Sequence, residues 1–447
     1  MKITRIKIKN YLQFQDLDID LTYPKGHAKE GKALDKVCII GRSGTGKTTL
    51  LNLVSYAIHD NYDWNQDNQK ILRIQRFNFD SEAEFFTDGD EDNNLIKILP
   101  VNNKNQVKSN YANQINLKLF FSENYLDTFQ KAIAIGFEKW KDILGNDNFP
   151  ENYFTSEYIN PVFESYWSKI LSLYTTERDW LARLGKAELT GNEIKKDLEA
   201  GYNTWRKDNP NPIHELADIL NPLLSTFNVK VNKDFEFDST KTLNILRFET
   251  LNGTSIPTEN VSTGIRAIVL SALIFHHFKP KDALILFDEP EHSLYPDAQI
   301  EFVKMLLKLS TDSQYFFATH SPLIVSEFEP WEIVELKHDF ENGGVFRELY
   351  YPAEKENHVD NYFWNTKALR WDSILTRIFD LVTLGGEDRG KELKKLSKLD
   401  SEISGMNSPD AEKKGKIKSY NDLADKIDFW RASEPENPYE TNREKPE

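Results

Sequence analysis

The sequence predicts an α/β fold: a mixed sheet with helices on its faces, an inserted helical lobe and a helical C-terminal region. The stretch "ITRIKIKNYLQFQDLDIDL" alternates apolar with charged residues, the pattern of two half-buried strands. After Pro257 an apolar helix, a strand, a helix and a second strand follow one another, which is typical of a sheet covered by helices. Between these regions lies a long aromatic stretch of helical pattern.

These elements divide the chain into four predicted segments. The apolar run "KVCII", which begins at Lys36, predicts a central strand, and a helical pattern follows from Lys47. The β pattern returns at "LNILRFET", and after about Ala368 the pattern is helical and then highly charged, ending in a stretch with the composition of a disordered tail. The segments are residues 1–121, the first half of the sheet domain; 122–227, the helical lobe; 228–352, the second half of the sheet domain; and 353–447, the C-terminal region.

Composition and charge exclude several classes of protein. The formal net charge is −15, so the average surface repels nucleic acid and anionic membranes, and any DNA contact needs a local basic patch or a partner. A single cysteine, Cys38, excludes an internal disulfide framework. The N-terminus lacks a signal-peptide pattern, and no apolar run is long enough to span a bilayer. We therefore expect a cytoplasmic protein without a membrane partner.

The stretch "GRSGTGKTT" fits the pattern G-x-x-x-x-G-K-[ST] and lies between a predicted strand and a predicted helix. Glycines in such a loop let backbone N–H groups turn inward around phosphate oxygens, the lysine supplies a charge for the β- and γ-phosphates, and the hydroxyl after it is placed to bind Mg²⁺. A Gly-rich turn that only caps the helix is the alternative, and the strand–loop–helix setting favours phosphate binding. The candidate nucleotide-binding residues are Gly41, Arg42, Ser43, Gly44, Thr45, Gly46, Lys47, Thr48 and Thr49.

Two adjacent acids end the apolar strand of "LILFDEPE". Burying an unpaired charge is costly, so an acid at this position indicates a cation or a reaction. We expect Asp288 to bind Mg²⁺ together with Thr48, and Glu289 to act as the general base that polarises the attacking water. An acidic strand-to-helix turn without a chemical role is the alternative, and the upstream phosphate loop favours the chemical role.

Two further motifs complete the set. His320, in "ATHSP", follows the next apolar run and could reach the terminal phosphate; a lone histidine is more often structural, but the order of the motifs favours a functional role. In "ENVSTGIRAIVL", Ser262, Thr263 and Gly264 stand at the start of a predicted helix, where exposed N–H groups form an anion site. That site could close on the nucleotide of a second copy. A simple helix cap by Ser262 is the alternative.

With these motifs in this order, the chain resembles the ATPase heads of the ABC class, which have a P-loop NTPase fold. Within that class it is similar to the branch that includes the RecF, SMC and Rad50 heads and the overcoming-lysogenisation-defect family. The form "DEPEHSLYPD" points to this branch rather than to transporters. The layout also resembles the Septu-type PtuA ATPases of anti-phage systems, which act beside a separately encoded nuclease. The stretches that carry the resemblance are "ITRIKIKNYLQF", "GRSGTGKT", "VSTGI", "LILFDEPEHSLYPDAQ" and "ATHSP".

The resemblance implies cofactors and partners. Two heads would sandwich two ATP molecules with Mg²⁺ in a homodimer or higher oligomer, and closure would act on a nuclease subunit or on DNA. By this resemblance Asp288 and Glu289 take the metal and base positions, His320 the switch position, and Ser262 to Gly264 the element that acts in trans. The trans element is shorter than the usual Leu-Ser-Gly-Gly-Gln form. For the glutamine that senses Mg²⁺, the candidates are Gln75 and Gln114.

Three functions compete at this point. The first is an ATP-driven sensor or motor that acts with a nuclease or on DNA, in anti-phage defence. The second is a RecF-like ATPase of DNA repair. The third is a nucleotide-gated scaffold that hardly hydrolyses ATP. Membrane transport is disfavoured, because a long aromatic insertion separates Lys47 from Ser262.

Overall fold

The computed structural model describes residues 2–57, 78, 80–88, 95–101, 104–109, 118–121, 153–155, 159–190, 195–233, 246–257, 260–341, 343–348, 365–379, 381, 387–405 and 411–427. The chain divides after Ala368 into two compact units. Both glutamine candidates, Gln75 and Gln114, and the predicted tail beyond residue 427 lie outside the described residues. In the ranges given above, no helix is both long and apolar enough to cross a membrane.

The first unit alternates strands and helices. Its strands are β1 (Ile3–Tyr11), β2 (Phe14–Asp20), β3 (Lys36–Gly41), β4 (Glu82–Thr87), β5 (Leu95–Val101), β6 (Lys104–Ser109), β7 (Lys118–Phe121), β8 (Tyr153–Thr155), β9 (Val229–Val231), β10 (Phe248–Thr250), β11 (Ser255–Ile256), β12 (Leu284–Asp288), β13 (Gln314–Ala318), β14 (Ile333–His338) and β15 (Val345–Arg347). Its α-helices are α1 (Lys47–Ala57), α2 (Ile159–Thr190), α3 (Lys195–Asp208), α4 (Pro212–Leu224), α5 (Thr263–Phe278), α6 (Pro296–Leu309) and the single turn α7 (Pro322–Val325).

Among the described residues, twelve strands form one mixed sheet in the order β6-β5-β4-β1-β2-β15-β14-β3-β13-β12-β7-β8. Strands β14, β3, β13, β12, β7 and β8 run parallel to one another, whereas β2, β1, β4, β5 and β6 form an antiparallel arm. The predicted mixed α/β sheet is confirmed. A separate sheet of three strands has the order β11-β10-β9.

The buried core extends from the antiparallel arm across the parallel strands. Every residue of β12 and β13 is buried, as expected for central strands with both faces covered. The rings of Phe287 and Phe121 stack at 4.3 Å, and those of Phe287 and Phe317 at 5.4 Å, so three neighbouring strands are tied by one aromatic stack. This packing fixes the strand ends that carry the candidate site.

The parallel register aligns three of those ends at one edge of the sheet. Asp288 pairs with Ala318, and Ala318 pairs with Ile39. The carboxyl ends of β3, β12 and β13 therefore lie side by side, and this edge is where ligands bind in α/β sheets. The chain leaves β3 into the Gly-rich loop, β12 into the acid pair and β13 into the segment with His320.

The two N-terminal strands confirm the period-two pattern. Ile3, Ile6 and Ile8 of β1 are buried, and Ile6 and Ile8 pair with Ile19 and Leu17 of β2. The polar residues between them are partly or fully exposed. The alternation predicted this hairpin because one face of it covers the core while the other meets solvent.

The segment 122–227 is mostly helical in its described part, with one difference. Helices α2, α3 and α4 follow one another, and a Cβ built on Gly201 of α3 would lie 3.1 Å from the ring of Trp180 in α2, so the two helices approach closely there. Within the same segment Tyr153–Thr155 forms strand β8, which pairs in parallel with β7. Pairing with β7 satisfies the backbone of these three residues, a tertiary effect that local pattern does not report.

The second unit contains three described helices: α8 (Trp371–Arg377), α9 (Glu387–Ser404) and α10 (Ala411–Lys426). Helices α9 and α10 pack through a small apolar cluster and a salt bridge of 2.9 Å between Lys416 and Glu402. The buried members of the cluster are Leu396, Ile403, Tyr420, Ala424 and Ile427. The predicted helical character of the region after Ala368 is therefore found in these three helices.

Candidate functional site

The Gly-rich loop turns sharply between β3 and α1. Gly44 and Gly46 have φ of 86° and 91°, in the left-handed region that glycine adopts without steric cost. Inside the loop, the Thr45 backbone N–H and hydroxyl donate to the Arg42 carbonyl at 3.2 and 2.8 Å. Helix α1 starts at Lys47 directly after the loop. A loop of this form, ending in a helix N-terminus, is suited to surround an anion with backbone N–H groups.

Gln13 lies over this loop and was missed by the sequence analysis. It belongs to the β1–β2 turn, and its Nε2 atom is 1.9 Å from the place where a Cβ on Gly46 would stand. The Phe14 ring is 2.8 Å from the same place. A Cβ at Gly46 would have to displace both side chains, so the turn and the loop pack closely against each other. The match of Gly46 to the loop pattern gave no sign of this contact, because the partner lies in another strand pair.

Lys47 and His320 are direct partners. The Lys47 ammonium lies 2.8 Å from His320 Nε2 and donates to the Gly41 carbonyl at 3.0 Å. An ammonium can only donate, so His320 Nε2 accepts and the imidazole is neutral. Burial, and then the charge of Lys47, lower the pKa of His320 against a smaller opposite effect of Glu289. Burial lowers the pKa of Lys47, and Glu289, Asp288 and Glu291 act in the opposite direction.

The acid pair lies beside this lysine. Asp288 is 1% exposed, and Glu289 has φ of 50°, a left-handed conformation that is uncommon outside glycine. The Glu289 N–H donates to the Ala318 carbonyl at 2.8 Å, and one carboxylate oxygen of Glu289 lies 3.8 Å from His320 Nε2. The unusual backbone at Glu289 thus directs the second acid toward the histidine, whereas the first stays buried at the strand end.

A magnesium ion fits this set of groups only in part. Asp288 supplies a buried carboxylate near Lys47, and Thr48 supplies a hydroxyl at the start of α1, both oxygen ligands of the kind that Mg²⁺ prefers. In the part of the chain that the structure describes, no cluster of three or more His, Cys, Asp or Glu side chains could hold a metal. The remaining ligands would therefore have to be phosphate oxygens and water.

The Ser262–Gly264 element forms the N-terminus of α5. Ser262 is the N-cap, and its hydroxyl accepts from the Ile265 N–H at 3.4 Å, so the helix-cap role is present. Ser262 and Thr263 are exposed, and Gly264 is buried. A Cβ on Gly264 would lie 2.4 Å from the Ser293 carbonyl oxygen, which shows how closely the helix tip packs against the turn after the acid pair.

The structure thus brings together the phosphate loop, Asp288, Glu289 and His320 at one edge of the sheet. The Ser262–Gly264 element packs against Ser293, five residues after Asp288. Sequence analysis also missed Glu291, whose carboxylate accepts from the His320 backbone N–H at 2.7 Å. Burial raises the pKa of Glu291. The third acid of "DEPE" was the signal that could have found it.

Two solved structures of Smc heads are similar to this chain at low sequence identity. The crystal structure of the SmcHead bound to the C-winged helix domain of ScpA aligns with a TM-score of 0.42 and 11% identity, over 78% of this chain and 97% of that chain. The Smc head domain with an extended coiled coil bound to the C-terminal domain of ScpA, derived from Pyrococcus furiosus, aligns with a TM-score of 0.40 and 13% identity, over 77% and 95%. No curated protein matches the sequence significantly.

A family model does match residues 36–326, from the strand before the phosphate loop to the segment after His320. Its description reads "AAA domain, putative AbiEii toxin, Type IV TA system". The match spans more than half of the 447 residues and includes every candidate site residue. The chain belongs to this AAA-domain family.

Proposed function

We propose that the chain binds ATP with Mg²⁺ at the phosphate loop and hydrolyses it to ADP and phosphate. The observation that carries the proposal is the convergence of three side chains beside the phosphate loop. His320 Nε2 lies 2.8 Å from Lys47 Nζ and 3.8 Å from a carboxylate oxygen of Glu289. The match to an AAA-domain family supports the same chemistry.

The residues divide the work in the following way. The β- and γ-phosphates attract the Lys47 ammonium away from the Gly41 carbonyl and His320, which are weaker partners than a charged phosphate. Thr48 and Asp288 would hold Mg²⁺, which would neutralise part of the phosphate charge when bound. Glu289 polarises the attacking water as general base. His320, released from Lys47, contacts the terminal phosphate.

We extend the proposal to a homodimer or higher homo-oligomer. Ser262 and Thr263 are exposed at the N-terminus of a sixteen-residue helix, where N–H groups favour anions. In this arrangement the helix tip of one copy closes on the terminal phosphate of the ATP in another. The cap made by Ser262 holds the first turn in place for that contact.

The cycle would act on a partner in the cytoplasm, for which we propose a separately encoded nuclease of an anti-phage system. The net charge of −15 favours DNA contact through such a partner over direct contact. The matching family's description names a toxin system, and for that reason we favour defence over RecF-like repair. A scaffold with negligible turnover is the second candidate, because neither motif nor fold requires fast hydrolysis.

ATP affinity and steady-state turnover of three proteins test the proposal. Glu289→Gln should keep wild-type affinity and lose roughly 100-fold or more in turnover, the usual contribution of a general base. Lys47→Ala should lose affinity itself. Equal affinity losses in both variants would contradict the assigned roles. Equal turnover of wild type and Glu289→Gln, at the background rate, would identify the scaffold.

A further inference from the structure

Gln299 links the turn after the acid pair to the segment that carries His320. This side chain stands in the first turns of α6, and its Nε2 donates to the Leu294 carbonyl at 3.0 Å. Its Oε1 accepts from the Ser321 hydroxyl at 2.5 Å. Both ends of one amide are thus used, and they join two chain segments that meet at the candidate site.

The two segments are anchored elsewhere as well. Ser321 is 7% exposed, and its hydroxyl oxygen also accepts from the Leu323 N–H at 3.2 Å, so it fixes the start of α7. One residue earlier, the His320 N–H donates to Glu291. Glu291 therefore holds the His320 backbone N–H, and Gln299 holds the side chain of the next residue, Ser321.

The far end of the bridge touches the Ser262–Gly264 helix tip. Gly264 packs on the Ser293 carbonyl, and the Leu294 side chain lies 3.3 Å from the place of a Gly264 Cβ. Ser293 itself has φ of 63°. Movement of the helix tip must therefore displace residues 293–294 or lose this contact, and Gln299 holds the carbonyl of Leu294.

We propose that Gln299 is a positioning residue that couples the Ser262–Gly264 tip to His320 within one chain, while Glu291 holds the His320 backbone N–H. The proposal rests on the proposed function, in which the tip meets the phosphate of another copy. Closure of a second copy on the tip would then be transmitted through residues 293–294 and Gln299 to Ser321 and His320. Each site would report its occupancy to the histidine of the other.

The experiment measures amide hydrogen exchange of residues 319–325 in the full-length protein without nucleotide. Gln299→Met keeps the length and packing of the side chain and removes both hydrogen bonds. It should speed exchange of that segment roughly 3- to 10-fold, as expected for loss of the one of these two bonds that reaches the segment, at Ser321. Gln299→Glu keeps the acceptor for Ser321 and loses the donor to Leu294, and gives a second variant should the first fold poorly. Residues 387–404 of α9 provide the internal reference and should be unchanged.

Coupling to the helix tip is tested by a double-mutant cycle with Gly264→Ala, whose added Cβ must displace the Ser293 carbonyl. Gly264→Ala should also speed exchange of residues 319–325, and the double variant Gly264→Ala/Gln299→Met should exchange no faster than the faster single variant. Unchanged exchange in Gln299→Met, or effects that multiply in the double variant, would overturn the proposal.

Turnover provides the functional readout. Gln299→Met should lower the maximal rate several-fold at unchanged ATP affinity. Ser321→Thr keeps the hydroxyl and should behave as wild type. Ser321→Ala removes the hydroxyl and should lower the maximal rate as Gln299→Met does. A merely structural role would lower affinity and thermal stability together. If wild type and Glu289→Gln turn over equally, the ATPase proposal fails, and the exchange data still decide the coupling on their own.

Discussion

Lys47 Nζ and His320 Nε2 lie 2.8 Å apart, so the lysine of the phosphate loop and the histidine at the end of β13 share one hydrogen bond. They are 273 residues apart in sequence and meet because β3 and β13 are parallel neighbours whose ends align. The bond requires a neutral imidazole, since the ammonium is the donor. The protonation state of His320 therefore decides whether this contact can exist.

The first prediction concerns stability against pH. The pKa of His320 is lowered in the folded protein, chiefly by burial and then by Lys47, so the folded state binds a proton less readily than the unfolded chain. The sign follows from linkage: this contribution to the free energy of unfolding is fully present above the ordinary histidine value near 6.5 and is lost as the pH falls below it toward the lowered pKa. His320→Gln should lose less stability than wild type over that interval in denaturant titrations.

The control for this measurement is His338→Gln. His338 is the last residue of β14, and its Nε2 lies 3.4 Å from the Ser43 carbonyl of the phosphate loop, a partner other than Lys47. That variant should keep the steeper acid loss of the wild type. If both variants follow the wild-type curve below about pH 6.5, His320 does not carry the effect.

Local pattern was enough to predict strands β1, β2, β12 and β13. The continuous apolar runs of β12 and β13 and the alternation of β1 and β2 are properties of neighbouring residues, and burial confirms both. The phosphate-loop glycines also follow from a local rule, because their spacing is set by the turn itself. Sequence patterns were silent where a contact joins distant segments, as between Gln13 and Gly46, Glu291 and His320, or Gln299 and Ser321. Those contacts depend on strand order, which no single motif encodes.

A second prediction uses Gly46. In Gly46→Ala the new Cβ would stand 1.9 Å from Gln13 Nε2 and 2.8 Å from the Phe14 ring, in a backbone conformation with φ of 91°. Strain of the left-handed backbone alone costs about 1–2 kcal/mol. We expect a lower midpoint of thermal unfolding and an ATP affinity too weak to measure by a fluorescent analogue, because the loop can no longer close around phosphate.

Gly26→Ala is the matched control for the strain. Gly26 has φ of 86°, and nothing lies within 4 Å of the place where a Cβ would stand. Alanine at this position therefore has the strain of the left-handed backbone without a steric clash. It should lower the unfolding midpoint slightly and leave ATP affinity unchanged. Gln13→Ala/Gly46→Ala should recover part of the stability lost in Gly46→Ala. If Gly46→Ala changes the ATP affinity no more than Gly26→Ala does, the contact between Gln13 and Gly46 is unimportant for ATP binding.

The metal role of Asp288 gives a third prediction. Asp288 is 1% exposed at the end of β12, and a neutral amide in its place binds Mg²⁺ more weakly than a carboxylate. Asp288→Asn should shift the Mg²⁺ concentration for half-maximal turnover upward at least several-fold, with part of the rate recovered at high Mg²⁺. Asp297→Asn, in the exposed first turn of α6, should leave the Mg²⁺ requirement of the wild type unchanged. A turnover in wild type that survives removal of Mg²⁺ by a chelator would refute the assignment.

The last prediction decides whether the exposed tip at Ser262 acts on another copy. The phosphate loop with Glu289 and His320 of one chain is here called the cradle. Lys47→Ala disables the cradle of its own chain, and Ser262→Arg disables the Ser262–Gly264 helix tip of its own chain. In a mixed dimer one site then contains both defects and the other contains an intact cradle facing an intact tip. With random exchange half of the dimers are mixed and each of these has one complete site of two, so an equimolar mixture of the two inactive variants should recover turnover, up to about a quarter of the wild-type value.

Mixing Lys47→Ala with Glu289→Gln is the control for this complementation. Lys47 and Glu289 belong to the same cradle, since both face His320 of their own chain. Every site of that mixture keeps one defect, and it should stay inactive whichever chain supplies the tip. An inactive mixture of Lys47→Ala and Ser262→Arg, under conditions in which subunit exchange is verified, would show that Ser262 serves only as the cap of its own helix.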